Sequence, residues 1–279
     1  MKQYIQGFSL LEVMLAGVLG LLLIASIGEL ILSVFRVSQA AQQKAEVAEN
    51  AQYLLGLFKR ELNMVGFYGD YNLTSANKNR PDICSLPSKL TMQLALSYPV
   101  DGINNMPINQ RLCGRDVILQ DTDVLLLRQG TSVSHTQPEP VSVWKQTIYY
   151  VAEDRSFKRR RYIDEPNNTK RSKNITEPII EGVDDFQVEY GIKYTDQSGV
   201  TTEFIELPQN EQQWSQLVEI RFYLLLSSTT KSPRSQSTQT YHYANKIVEM
   251  QDNKHRGLFT GISLFNNLDP QTLVFDIAM

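Results

Sequence analysis

The sequence predicts an α+β fold: one long N-terminal helix, apolar all round in its first half, packed through its second half on an antiparallel β-rich head. Three observations carry this. Residues 13–28 hold no charge, and the apolar run resumes from 30 to 35 after Glu29. Apolar side chains then recur at helical spacing through Val34, Val37, Ala41, Ala48, Ala51, Leu55, Phe58, Leu62 and Val65. Beyond residue 90 the chain turns to short runs of alternating and β-branched residues separated by turn signals.

Residues 8–35 are long enough as a helix to cross a hydrocarbon core of about 30 Å. The basic flank, Lys2, precedes the span, which places the N-terminus in the cytoplasm and everything after Arg36 on the far side. A cleavable signal peptide is the alternative, since Ser26, Ile27 and Gly28 are small or apolar where signal peptidase cuts. Against it, the apolar run is long for that role and contains Glu12. The helical pattern also continues past Gly28, with Gln39, Gln42, Gln43, Lys44, Glu46, Glu49 and Lys59 on its polar face. One helix from Leu11 to Val65, stopped at Gly66, would be about 80 Å long. Glu29 falls near the far membrane face, where a carboxylate reaches headgroups or water.

Strands are expected at residues 90–98, 116–119, 123–128, 146–152, 158–163, 186–194, 203–205 and 217–226. Residues 210–217 suit a short helix. Two stretches read as loops: 72–89, with Pro81 and Pro87, and the polar 227–240. After residues 1–7 the organisation is a transmembrane half-helix at 8–35, an amphipathic half at 36–66 and a globular head at 67–279.

Composition excludes little but directs the search. The 279 residues carry 27 basic and 30 acidic side chains, so no global field argues for nucleic acid or an anionic surface. No P-loop, HExxH, GxSxG or strand-linked GxGxxG occurs, so neither an enzyme nor a cofactor is expected. Glu249, Asp252 and His255 have a local spacing open to a metal, but their polar-turn setting does not favour one, and no metal site is assigned. The oxygen-rich 101–105 lacks the twelve-residue calcium loop pattern.

Lys158, Arg159, Arg160 and Arg161 form the sharpest basic run, with Lys170, Arg171 and Lys173 beyond it. On a strand these side chains alternate between faces. Phosphate binding is one reading. The acids at Glu153, Asp154, Asp164 and Glu165 favour a solvated strand or a subunit contact. The two cysteines, Cys84 and Cys113, would pair as a disulfide in an exported head, or stay free thiols in a reducing compartment.

Gly7-Phe8-Ser9-Leu10-Leu11-Glu12 resembles the prepilin peptidase motif of type IV pilins and type II secretion pseudopilins. The resemblance implies a leader at 1–7, cleavage after Gly7, N-methylation of Phe8, and retention of the span as the spine of a filament. It implies that Glu12 engages the N-terminal amine of a neighbouring subunit during assembly; its other role is to favour the positive end of the helix dipole. Further along, "ELNMVGFYGD", "TDVLLLRQG", "IIEGVDDFQVEYGI", "WSQLVEIRFYLLLSS" and "RGLFTGISLFNN" resemble stretches of PilW-type minor pilins. Asp70 stands where that family often has a cysteine, so its disulfide pattern does not transfer.

The resemblance implies a type IV pilin-like fold and a minor pilin of a tip or priming complex. Such a protein sits in the inner membrane with a periplasmic head. Its implied partners are other minor pilins, the major pilin, prepilin peptidase and the inner-membrane assembly platform. A J-type pseudopilin of type II secretion, or a DNA-binding or adhesive tip pilin, are the alternatives.

Overall fold

The computed structural model describes residues 9–67, 99–112, 116–133, 141–164, 173–196, 199–231 and 237–265. Helix α1 spans Leu10–Asn63, 54 residues and thus about 80 Å. It starts at an extended Ser9, with Glu12 in its first turn where a carboxylate meets the positive end of the helix dipole. Arg60 occupies the last turn, and Gly66 reverses the chain in the left-handed region at φ 75°.

Only the second half of α1 is packed. Its buried stripe runs Gln43, Val47, Ala51, Leu54, Leu57, Phe58 and Leu62. The expected stripe through Val34, Val37, Ala41 and Ala48 is corrected, because all four are exposed. Two causes act. The head first meets the helix at Gln43, expected on the polar face but buried against Thr230, so among the described residues 34–41 stay uncovered. An alanine also contributes too little apolar area to define a face, so Val47, Leu54 and Leu57 set the phase instead.

The head holds two antiparallel sheets. The first comprises β1 (Val100–Ile103), β4 (Val124–Val133), β5 (Val141–Val151), β6 (Phe157–Asp164) and β7 (Lys173–Ile180), in the order β1-β4-β5-β6-β7. The second comprises β8 (Val183–Asp196), β9 (Gly199–Ile205), β10 (Leu217–Ser227) and β13 (Arg256–Leu264), in the order β13-β10-β8-β9. Two small ribbons complete it: β2 (Arg111–Leu112) with β3 (Asp116–Val117), and the hairpin β11 (Ser237–Tyr243) with β12 (Lys246–Asp252). A single-turn helix α2 (Glu211–Ser215) is capped by Asn210, whose side chain accepts the Gln213 N–H at 2.9 Å.

Six of the expected strands coincide with β4, β5, β6, β8, β9 and β10, and 116–119 holds the two-residue β3 with an isolated bridge from Ile118 to Ala152. The candidate at 90–98 lies outside the described residues. Five elements were not anticipated: β1, β2, β7, β11 and β12, the last placing Glu249 and Asp252 on a strand rather than in the expected polar turn. β1 occupies the stretch weighed for calcium ligands. β7 contains Pro178, which marks an edge strand, and it lies at the end of its sheet. The loop expected across 227–240 is corrected at its end, since β11 begins at Ser237. Its Ser, Thr and Gln side chains carry no apolar alternation, so pairing with β12, together with the buried Tyr243 at its end, makes it a strand.

The main core lies where α1 meets both sheets. On β10, Ile220, Phe222, Leu224 and Leu226 point inward opposite Ser263, Gly261, Phe259 and Gly257 of β13. Gly261 is required there, because a Cβ would overlap the Phe222 ring. Phe58 sits at the junction, fully buried, with ring centroids 4.6 Å from Phe222, 5.1 Å from Tyr149, 5.8 Å from Phe186 and 5.9 Å from Phe157. Ile118, Val124, Leu126, Ile148 and Tyr150 form a second core on the other face of the first sheet.

Candidate assembly surface

The first half of α1 is left uncovered by the described residues of this chain. From Leu10 to Val37 its large apolar side chains are between 48% (Ile31) and 81% (Leu10) exposed. By length and composition this half can cross a membrane. Across residues 10–36 the charges are Glu12, Glu29 and Arg36, and Glu12 stands exposed among Leu11, Val13 and Leu15. Gly7 and Phe8 lie outside the described residues, as do Cys84 and Cys113.

The head is clamped to the other half of the helix by polar contacts as well as by the core. Gln43, 3% exposed, donates to the Thr230 hydroxyl at 3.2 Å, and the Glu46 carboxylate accepts the Thr229 N–H at 3.1 Å. Glu61, one turn from the helix end, accepts from Lys145 at 3.0 Å and lies 3.5 Å from Arg159.

The basic run sits on β6 with the alternation a strand imposes. Arg159 pairs with Glu177 at 2.6 Å as well as with Glu61, and Arg161 pairs with Glu177 at 2.9 Å. On the opposite face Lys158 lies 3.2 Å from Asp116, and buried Arg160 donates to the Asn174 side chain at 2.8 Å. Burial opposes ionisation of Glu177, but the hydrogen bonds and charges of Arg159 and Arg161 outweigh it and hold the carboxyl below its usual range. The four cations are therefore engaged within the chain, tying β6 to β7, β3 and α1.

A buried ion-pair network escaped the sequence reading. Asp184 and Arg256 pair at 2.5 Å with side chains 0% and 1% exposed, and Arg155 and Asp252 complete the group. Asp252 is thereby bound in a bidentate contact by Arg256, whose hydrogen bonds, against the opposing effect of burial, keep that carboxyl well below the usual range. Among the described residues no three His, Cys, Asp or Glu side chains are grouped to hold a metal. Asp101, in the stretch weighed for calcium, pairs instead with Arg128 at 3.3 Å.

A long helix, half of it bare and apolar, carrying a two-sheet antiparallel head defines a type IV pilin-like α+β protein. Residues 148–266 match the family model described as type IV pilus-assembly protein W. The resemblance to PilW-type proteins is thus borne out from within β5 to β13, and it supports a role for the chain in type IV pilus assembly. No curated protein matches the chain. Among solved structures it is similar to a type IV-like pilin from Thermus thermophilus, at 13% identity and a TM-score of 0.41, over 79% of this chain and 97% of that one.

Proposed function

We propose that this chain is a minor pilin, matured by cleavage after Gly7 and methylation of Phe8, that joins other minor pilins in the tip or priming complex of a type IV pilus. It waits in the inner membrane with its head in the periplasm. Prepilin peptidase, the inner-membrane assembly platform and the major pilin are its further partners. The observation that carries this reading is the bare half of α1, which has no packing partner among the described residues yet continues without a break into the core of the head.

Gly17, Gly20 and Gly28 support it. Nothing lies within 4 Å of where a Cβ would stand at any of them, so neither steric nor conformational need within this chain explains them. Each costs about 1 kcal/mol of helix propensity relative to alanine. Small residues let neighbouring helices approach closely in lipid, which offsets that cost only when such neighbours exist. Glu12 supplies register: maturation creates a cationic amine at Phe8, and a carboxylate in an apolar band needs such a partner. The bulk of the head disfavours close helical repetition, which argues for a tip position. Cys84 and Cys113 are taken as a disulfide of the exported head, checked by the mass gained on alkylation with and without reduction.

The test is surface pilin sheared from a strain lacking the gene, with exoprotein secretion assayed alongside. Pili should be lost, and restored by the wild type but not by Glu12→Ala. Normal pili with lost secretion would overturn the pilus assignment.

A further inference from the structure

Outside the contacts described so far, a cavity of about 360 Å³ opens between the β11–β12 turn, the loop after β1 and the outer face of β8. That volume lies at the small end of ligand sites. Its wall is built from Asp121, Gln187, Glu189, Glu206, Asn245 and Lys246, with Asn104 and Asn105 at one side.

The wall presents acceptors in excess. Lys246 is its one cation among the described residues, and its ammonium is committed to Asp185 at 3.1 Å and to the Asp121 carbonyl. Gln187 is 3% exposed and spends its amide nitrogen on the Asp121 carbonyl at 2.7 Å and on Asp185 at 2.8 Å. Its Oε1 has no partner among the described residues. The Asp121 carboxylate has none either. Glu206 uses one oxygen on Asn104 at 3.0 Å, and Glu189 uses Oε2 on Arg221 and Tyr223. A ligand must therefore bring donors and positive charge.

The wall is set before any ligand arrives. Asp123 accepts the N–H groups of Asn105 at 2.8 Å and Val188 at 2.7 Å, which fixes two sides of the cavity. A metal ion fails the geometry, because no three carboxylates among the described residues converge on a point. A saccharide would want an aromatic ring to stack on, and no ring lines the cavity. An anion meets three carboxylates. A guanidinium on a flexible stem fits: it is planar, permanently charged and carries five donors for spread-out acceptors.

We infer that this cavity binds a guanidinium group, presented either by an arginine of a partner polypeptide or by a free guanidino compound. The inference stands whether or not the chain primes a filament.

The experiment titrates the full-length chain in detergent micelles, reading the backbone amide signals of Ala244 to Lys246 by NMR. The probes are acetyl-arginine methylamide, agmatine and the uncharged acetyl-citrulline methylamide. Both guanidinium probes should shift these signals and the citrulline probe should bind at least about tenfold more weakly. Tighter binding of the acetyl-arginine probe assigns the site to a protein arginine, and tighter agmatine binding to a free compound. Asp121→Asn and Glu206→Gln, both at exposed positions, should each weaken binding about tenfold. Asparagine tolerates the left-handed backbone at 121, φ 59°, so the fold is kept, as an unchanged melting temperature would verify. Equal binding of the citrulline probe, no shift with any probe, or variants that bind like the wild type would overturn the inference.

Discussion

Phe58→Ala removes a side chain of α1 that touches both sheets. The ring is fully buried, and four aromatic rings stand within 6 Å of it, from β5, β6, β8 and β10. Phenylalanine-to-alanine changes in cores cost about 3–5 kcal/mol, the spread reflecting how far the site can collapse. Collapse is hard here, because two sheets and a helix would all have to move. The expected loss is therefore toward the upper end, about 4–5 kcal/mol. The assay is guanidinium unfolding of the full-length chain in detergent, followed by tryptophan fluorescence. Trp214 reports well, being 5% exposed with its ring 5.5 Å from Tyr190. The midpoint should fall by about 1 M at the slopes usual for such denaturation. Leu22→Ala, at a position 60% exposed, should leave the head's midpoint unchanged. A loss below about 1 kcal/mol for Phe58→Ala, or an equal loss for Leu22→Ala, would refute the division of the helix into a packed and an unpacked half.

Arg256→Leu leaves the fully buried Asp184 with Arg155 alone of its two cations and frees Asp252, and should cost about 3–5 kcal/mol, read as a fall in melting temperature. Glu61→Gln leaves Lys145 and Arg159 facing an uncharged amide; a loss of about 1–3 kcal/mol is expected, and a double-mutant cycle with Lys145→Met should show coupling. Burial raises the Asp123 carboxyl from 3.8 to about 7, against the lowering effect of the Asn105 and Val188 N–H groups. The folded state then holds this proton more tightly than the unfolded one, so the stability it confers is full below pH 4 and is lost as pH rises through 7. Asp123→Asn should flatten that part of the melting-temperature profile between pH 5 and pH 8.

The parts of this fold that could be read from sequence are those in which one element carries its own signal. The span of α1 needs only length and absence of charge. The long strands β4, β5, β8 and β10 need only runs of apolar and β-branched residues. The phase of the helix stripe was not legible, because Ala41, Ala48 and Ala51 fit several faces and only the docked sheet shows which is covered. The hairpin β11–β12 was missed for a related reason: its side chains are largely polar, and its strand character comes from cross-strand pairing and the buried Tyr243. The basic run was legible as an alternating strand. Its partners were not, because Glu61 lies on another element and Glu177 is 18 residues further along the chain from Arg159. The acceptor-rich cavity had no sequence signal at all, since its wall comes from five separate stretches.

The joint between head and helix bears directly on assembly. If the head hung from a flexible linker, forces acting on the membrane half of α1 would extract a helix and leave the head to follow. Here α1 crosses from the bare half into the core without a break, and Gln43, Glu46, Phe58 and Glu61 engage the head along its packed length. Rotating or lifting the helix must carry the head with it, because slippage by one residue would turn Phe58 out of its aromatic setting and separate Glu61 from Lys145 and Arg159. A contact that fixes the register of the bare half, such as one made by Glu12, therefore also fixes the height and azimuth of the head. That is the property a priming subunit requires. Its anchor chooses a position among neighbouring helices, and the same choice places the head surface on which the next contacts form.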